Sequence, residues 1–223
     1  MTTHPNVRVF LAGDSTVQRY PKSASPQAGW GQFIADYFIR NVDFVNHAIG
    51  GRSSRTFVEE GRLAKILQEF SAGDYLFVQM GHNDASKSKP ERYTEPHSGF
   101  KRFLTEYVDG ARRYGGVPVL ITPVARLHYE NEIFLNDFPD YCAAMRELAR
   151  EHKVPLIDLM ARSLSYFTSV GVKEVCEFFM VSVNDTDHTH FTEKGARRMA
   201  RLVADGVKDL NLSIASYLLP FHK

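Results

Sequence analysis

The sequence predicts an α/β fold in which a parallel sheet is covered on both faces by helices. Short, β-branched apolar runs alternate with segments whose apolar residues recur at helical spacing, and three of the runs end in a polar glycine turn. Val7 to Ala12 reads as the first strand and ends at Gly13. Trp30 to Ile39 predicts a helix, and Val42 to Ile49 a strand that stops at Gly50-Gly51. Thr56 to Phe70 predicts a helix with Phe57, Leu63, Ile66, Leu67 and Phe70 as its apolar residues. Asp74 to Met80 predicts the third strand, ending at Gly81. Phe100 to Tyr114 predicts a helix closed by Gly115-Gly116, Val117 to Thr122 a strand, Tyr141 to His152 a helix and Val154 to Leu159 the fifth strand. The last helix starts from Thr192 as N-cap, with Gly195 in its first turn, and reaches the region of Leu210. Gln18 to Gly29, Asp84 to Ser98 and the segments flanking Phe134 and Val172 fit neither period, which makes them candidate binding loops.

Composition narrows the function. The chain has 223 residues, 43% hydrophobic and 24% charged, which suits one globular domain over 1–223 without linker or repeat. A net charge of +1, with Lys and Arg spread along the chain, argues against a nucleic-acid partner. No apolar run approaches the ~18–20 residues that span a membrane. Cys142 and Cys176 sit in apolar surroundings and read as reduced core residues. Met1 to Val9 carries no export signal, so a cytoplasmic setting is expected.

The chemistry follows from where the unusual residues fall. Gly13-Asp14-Ser15-Thr16, Gly50-Gly51-Arg52-Ser53 and Gly81-His82-Asn83-Asp84 close the first three strands. A parallel sheet brings the carboxyl ends of its strands to one edge, where ligands bind. Ser15 is a candidate nucleophile there, although the same residue would suit a helix N-cap or a phosphate-cradling turn. A hydroxyl needs a base held by a carboxylate. Among nine histidines, two lie three residues after an acid: His188 after Asp185, and His190 after Asp187. Spacing alone leaves both pairs open. It also leaves open a solvated turn, or a metal site on His188 and His190 that lacks an obvious third ligand. The Ser15 and Gly51 amides with the Asn83 side chain would supply three donors to an oxyanion.

Taken together, Gly13 to Val17, Asn46 with Gly50 to Ser53, Gly81 to Asp84 and Asp187 to Thr192 resemble the four ordered blocks of SGNH hydrolases. More narrowly, they resemble the carbohydrate esterases that include rhamnogalacturonan acetylesterases. The resemblance implies a flavodoxin-like three-layer α/β/α fold on a five-stranded parallel sheet. It implies Ser15 as nucleophile, His190 as base, Asp187 as its orienting acid, and Ser15, Gly51 and Asn83 as the oxyanion hole. It implies no metal or organic cofactor, and an acetylated pectin-derived oligosaccharide as substrate. Arg55, His82 and His188 are candidate substrate contacts, whereas Arg52 suits an ion pair with Asp14 or Asp84. Trp30 suits burial better than sugar stacking. A lysophospholipase or thioesterase on the same scaffold is the alternative enzyme. A nucleotide- or phosphate-binding module is the alternative class, although the chain has neither the phosphate-loop nor the dinucleotide glycine pattern.

Overall fold

In the computed structural model, which describes residues 7–220, five parallel strands form the central sheet. They are β1 (Val7–Gly13), β2 (Val42–Asn46), β3 (Tyr75–Gln79), β4 (Val117–Ile121) and β5 (Leu156–Ile157). Their spatial order is β2-β1-β3-β4-β5, the flavodoxin-like order. The order in which strands are added along the sheet reverses between β1 and β3, and that switch point is where such sheets bind ligands. Val7 stands opposite Val42, and Gly13 opposite Gln79, so the glycine turns leave the sheet at nearly one level. Residues 1–6, part of the polar start, lie outside the described chain.

The core explains why the sheet holds. Phe10, Leu11, Leu76 and Val78 are fully buried. Each large apolar side chain so buried contributes roughly 1.5–3 kcal/mol. Helices α1 (Ser54–Glu59), α2 (Arg62–Glu69), α3 (Lys101–Arg113) and α4 (Pro139–Glu151) form one layer, with α3 against β3 and β4. Helices α5 (Leu159–Val170) and α6 (Glu193–Asp209) pack together in the other, with α6 against β5. Thr192 caps α6, its hydroxyl accepting from the Gly195 amide at 3.3 Å. Among the described residues no helix is long and apolar enough to cross a membrane.

Several elements differ from the periodicity. Trp30 to Ile39 carries a helical stripe, yet forms two 3-10 turns, Trp30–Gln32 and Ile34–Tyr37. The chain passes too close to the Ser15 turn for a regular helix: a Cβ on Gly31 would lie 2.4 Å from the Val17 carbonyl oxygen. Thr56 to Phe70 is broken in two because Gly61 adopts φ +71°, a left-handed conformation that costs glycine little. Ser15 does not open a helix either. The segment after β1 makes a single turn, with Val17 and Gln18 amides both donating to the Asp14 carbonyl. Of the unassigned segments, Tyr129–Glu130 and Ile133–Phe134 form a small hairpin, and Val172–Cys176 a short helix.

Candidate active site

The turn after β1 is built to present Ser15. Asp14 folds its carboxylate back, accepting from the Thr16 amide at 2.9 Å and the Thr16 hydroxyl at 2.8 Å. Gln79, at the end of β3, donates to the Thr16 hydroxyl at 2.6 Å and accepts from the Trp30 indole at 2.8 Å. Trp30 is therefore a buried brace and not a sugar platform. Tyr20 donates its hydroxyl to the Ser15 carbonyl at 2.9 Å, and burial pushes its pKa up to about 12, so it stays a donor. These contacts hold the backbone, and Ser15 itself is half-buried.

That hydroxyl lies 2.9 Å from His190 Nε2. On the other side of the ring, Nδ1 lies 2.7 Å from Asp187 Oδ2. Asp187 Oδ1 accepts the Thr189 and His190 amides, each at 2.9 Å. Burial works against this carboxylate, but those amides and the imidazole outweigh it and hold its pKa below the ordinary value. Asp187 therefore stays charged through the range in which a histidine titrates, and its contribution to stability is lost only as pH falls through that lowered pKa. The loop is fixed at both ends. Phe191 and Thr192 pair antiparallel with Ala28 and Gln27, and the His190 carbonyl accepts from Met180. Asp187 and Thr186 amides cap onto the Asn184 side chain. Both ring nitrogens of His190 are thus engaged, one by each partner of the relay.

The candidate donors lie on adjoining turns. Gly51 has φ +81°, a left-handed value suited to glycine, and the turn runs beside Ser15: a Cβ on Gly50 would lie 3.4 Å from the Ser15 Cβ. Among the described residues, neither the Ser15 nor the Gly51 amide donates a hydrogen bond. Asn83 gives one amide hydrogen to the Arg52 carbonyl at 3.0 Å, keeping the other to spend. The structure thus places the Gly50-Gly51 turn beside Ser15, Asn83 against the Arg52 carbonyl that follows it, and Ser15 beside His190.

The substrate candidates fare differently. His82 is a correction: it is 5% exposed, lies edge-on to Phe138, and its Nδ1 stands 3.3 Å from Asp14 Oδ2. The 3.3 Å contact falls outside hydrogen-bond geometry, so the two buried groups interact electrostatically. Burial disfavours the Asp14 charge, yet His82 and the Thr16 donors prevail and lower its pKa. We expect His82→Leu to destabilise the fold by about 3–5 kcal/mol, because it leaves a buried carboxylate facing carbon. Thermal or urea unfolding reads this, and a variant that keeps wild-type stability while losing only substrate affinity would restore His82 as a contact. Arg55 pairs with Glu59 at 3.0 Å on the exposed side of α1. Arg52 pairs with Glu60 at 3.1 Å, not with either buried aspartate. His188 is exposed and anchors by its backbone, accepting from the Leu127 amide at 3.0 Å. Asp185 caps the short helix Val181–Asn184 with φ 61° and makes no pair with His188.

Sequence reasoning missed two features. Asp84, fully buried, ties the second and third turns together by accepting from the Ser54 amide, the Ser54 hydroxyl at 2.5 Å and the Thr94 hydroxyl at 2.8 Å. Burial pushes its pKa up to about 6, so it favours the fold at low pH and loses that contribution as pH rises through this value. Arg92 is the other, its Nη1 lying 3.3 Å from Asn83 Oδ1. The place of Asp84 at the end of the Gly81 turn was a usable signal; nothing local marked Arg92.

A serine, an imidazole and a carboxylate in relay at the switch point of a flavodoxin-like sheet define an ester hydrolase. The chain belongs to the GDSL-like lipase/acylhydrolase family, whose model matches residues 9–203. It is 56% identical to the probable rhamnogalacturonan acetylesterase YesY of Bacillus subtilis, over 95% of this chain and 97% of that protein. It is 42% identical to the rhamnogalacturonan acetylesterase RhgT of the same organism, over 96% and 94%. Among solved structures, it resembles the B. subtilis protein YxiM with a TM-score of 0.84 and 32% identity, covering 93% of this chain and 58% of that one. It shares its fold with Axe2, an acetylxylan esterase from Geobacillus stearothermophilus, at a TM-score of 0.68 and 12% identity, over 96% and 98% of the two chains.

Proposed function

We propose that this protein removes O-acetyl groups from pectin-derived saccharides through an acetyl-enzyme on Ser15. The observation that carries the chemistry is the continuous relay from Asp187 through His190 to the Ser15 hydroxyl. The substrate class rests on the two relatives named as rhamnogalacturonan acetylesterases.

In the first step, Ser15 Oγ bonds to the acetyl carbonyl carbon while His190 Nε2 takes its proton. The electron pair moves to the carbonyl oxygen, where the Ser15 and Gly51 amides and the Asn83 side chain receive it. Collapse breaks the bond to the sugar oxygen, which leaves with the proton from His190. Water then repeats the sequence: His190 takes its proton, the new intermediate forms, and acetate departs as Ser15 regains its hydrogen. Asp187 keeps the imidazole in the tautomer whose Nε2 is free to accept, and stabilises the ring once charged. Asn83→Ala should lower kcat by about 10²–10³-fold with a smaller change in KM, since its donor counts most once the oxyanion forms. An equal rise in KM with kcat intact would place Asn83 in ground-state binding instead.

The alternative readings meet specific obstacles. A phosphate group at the Ser15 turn would face the buried Asp14 charge directly behind it. A long acyl chain would need an apolar groove leading from Ser15. A cavity of about 620 Å³ is apolar, but it is lined by Ala143, Leu156, Leu210 and their neighbours, with no member of the relay. The test is acetate release from acetylated rhamnogalacturonan oligosaccharides, acetylated xylo-oligosaccharides, and aryl acetate against aryl octanoate. Preference for the pectin-derived acetyl ester is expected, and preference for octanoate would overturn the reading.

A further inference from the structure

We propose that Arg92 is a specificity-determining residue that grips a carboxylate of the substrate, a uronate beside the acetylated sugar. The inference rests on the saccharide acetylesterase reading above and adds the charge of the substrate to it.

The argument starts from position. The Gly50-Gly51 turn is sandwiched: Gly50 lies against Ser15, and Gly51 against the Arg92 guanidinium, where an added Cβ would sit 3.3 Å from Nη2. The same guanidinium reaches Asn83 through Nη1. Arg92 thus borders two of the three oxyanion donors, one glycine turn away from the nucleophile. A saccharide whose acetyl group enters this site must lay its neighbouring substituents close to it.

The second point is unspent capacity. A guanidinium has five donors in a planar fork that matches a carboxylate. Among the described residues, Arg92 donates only the one long bond to Asn83, and Nη2 donates none. Its carboxylate neighbour, Glu91, is 3.8 Å away and largely exposed, too loose to occupy the fork. The other arginines that follow the glycine turns are spent on Glu60 and Glu59. The Arg92 side chain is 30% exposed, open enough to be met by a ligand and covered enough to feel less screening.

The third point is that its loop is held. Asp84 accepts from Thr94, the Thr94 amide donates to the Asp84 carbonyl at 3.1 Å, and the Tyr141 hydroxyl lies between the Asp84 and Thr94 carbonyls, sharing its one hydrogen at 2.9 and 2.7 Å. The Arg92 amide itself donates to the Lys89 carbonyl at 2.9 Å. A cation carried on such a loop loses little freedom when it binds, which favours selection of an anionic group.

The competing role is orientation of the Asn83 amide, and the experiment separates the two. Steady-state kinetics of the wild type and Arg92→Gln are measured on acetylated rhamnogalacturonan oligosaccharides, with uronates free or methyl-esterified. Melting curves confirm that the variant is folded, and Arg92→Lys serves as a second, milder variant. The expected result is a roughly 10- to 100-fold drop in the wild-type preference for the acid form, carried mainly by KM, with Arg92→Lys in between. Equal losses on both forms would assign Arg92 to Asn83 alone and overturn the proposal, as would no loss on either. A wild type that cleaves both forms equally well also overturns it, but leaves the acetylesterase reading standing. Release of acetate from neither form, with activity on other esters, would instead overturn the acetylesterase reading itself.

Discussion

Ser15→Ala is expected to lower kcat by roughly 10⁶-fold, a loss of about 8 kcal/mol of transition-state stabilisation, with the fold intact. The magnitude follows from what the hydroxyl does. In the mechanism proposed above it is the only atom in the relay that forms a bond to carbon, so without it the remaining donors can only polarise an ester for direct attack by water. The fold is spared because the turn is held through other atoms: the Asp14 and Thr16 bonds, the Gln79 bridge and the Tyr20 hydrogen bond to the Ser15 carbonyl. Alanine keeps each of these and strands no buried partner except the His190 edge, which water can reach. Acetate release and thermal unfolding measured on the same preparation decide it. Residual activity within tenfold of the wild type would remove Ser15 from the mechanism.

Asp187→Asn is expected to cost about 10⁴-fold in kcat, again with little change in stability. The substitution is nearly isosteric, and its carbonyl oxygen can go on accepting the Thr189 and His190 amides. Its amide nitrogen then faces His190 Nδ1, where an oxygen used to accept. The ring must turn its lone pair to that side, so the proton moves to Nε2 and points at Ser15. A base in that tautomer has nowhere to put the serine proton. The effect should persist at every pH between about 5 and 8, because the wild-type Asp187 charge is held below its ordinary pKa and does not titrate there. An acid-side fall in wild-type activity in that range would therefore not belong to Asp187. If the asparagine variant recovered full activity at alkaline pH, the tautomer argument would fail.

The strands were the most legible part of the sequence. Central strands such as β3 are buried along their whole length, and all of β3 before the terminal Gln79 is a continuous apolar run, which surface segments rarely imitate. The glycine turns were legible for a related reason, since a chain that leaves the sheet sharply at Gly50-Gly51 needs conformations that other residues resist. The acid–histidine pair was half legible. Asp185 with His188 and Asp187 with His190 share one spacing, and only the fold distinguishes them, by using Asp185 to close a helix and Asp187 to receive two amides. Helical periodicity misled at Trp30 to Ile39, because the stripe records which side is buried and not how close the neighbouring backbone comes. The polar side-chain pairings were illegible. Arg52 meets Glu60, His82 meets Asp14, and Arg92 meets Asn83, each through a chain path that no local pattern encodes.

The central claim is that the acetyl group passes through a covalent bond to the Ser15 oxygen. Rapid acid quenching of the enzyme during turnover of an aryl acetate, followed by peptide mass mapping, tests this directly. One added acetyl group is predicted, on the peptide containing Ser15 and nowhere else, with its occupancy rising in the Asn83→Ala variant if deacylation slows most. An acetyl group found on His190 or on a lysine, or none found at any quench time while acetate is still released, would contradict the account.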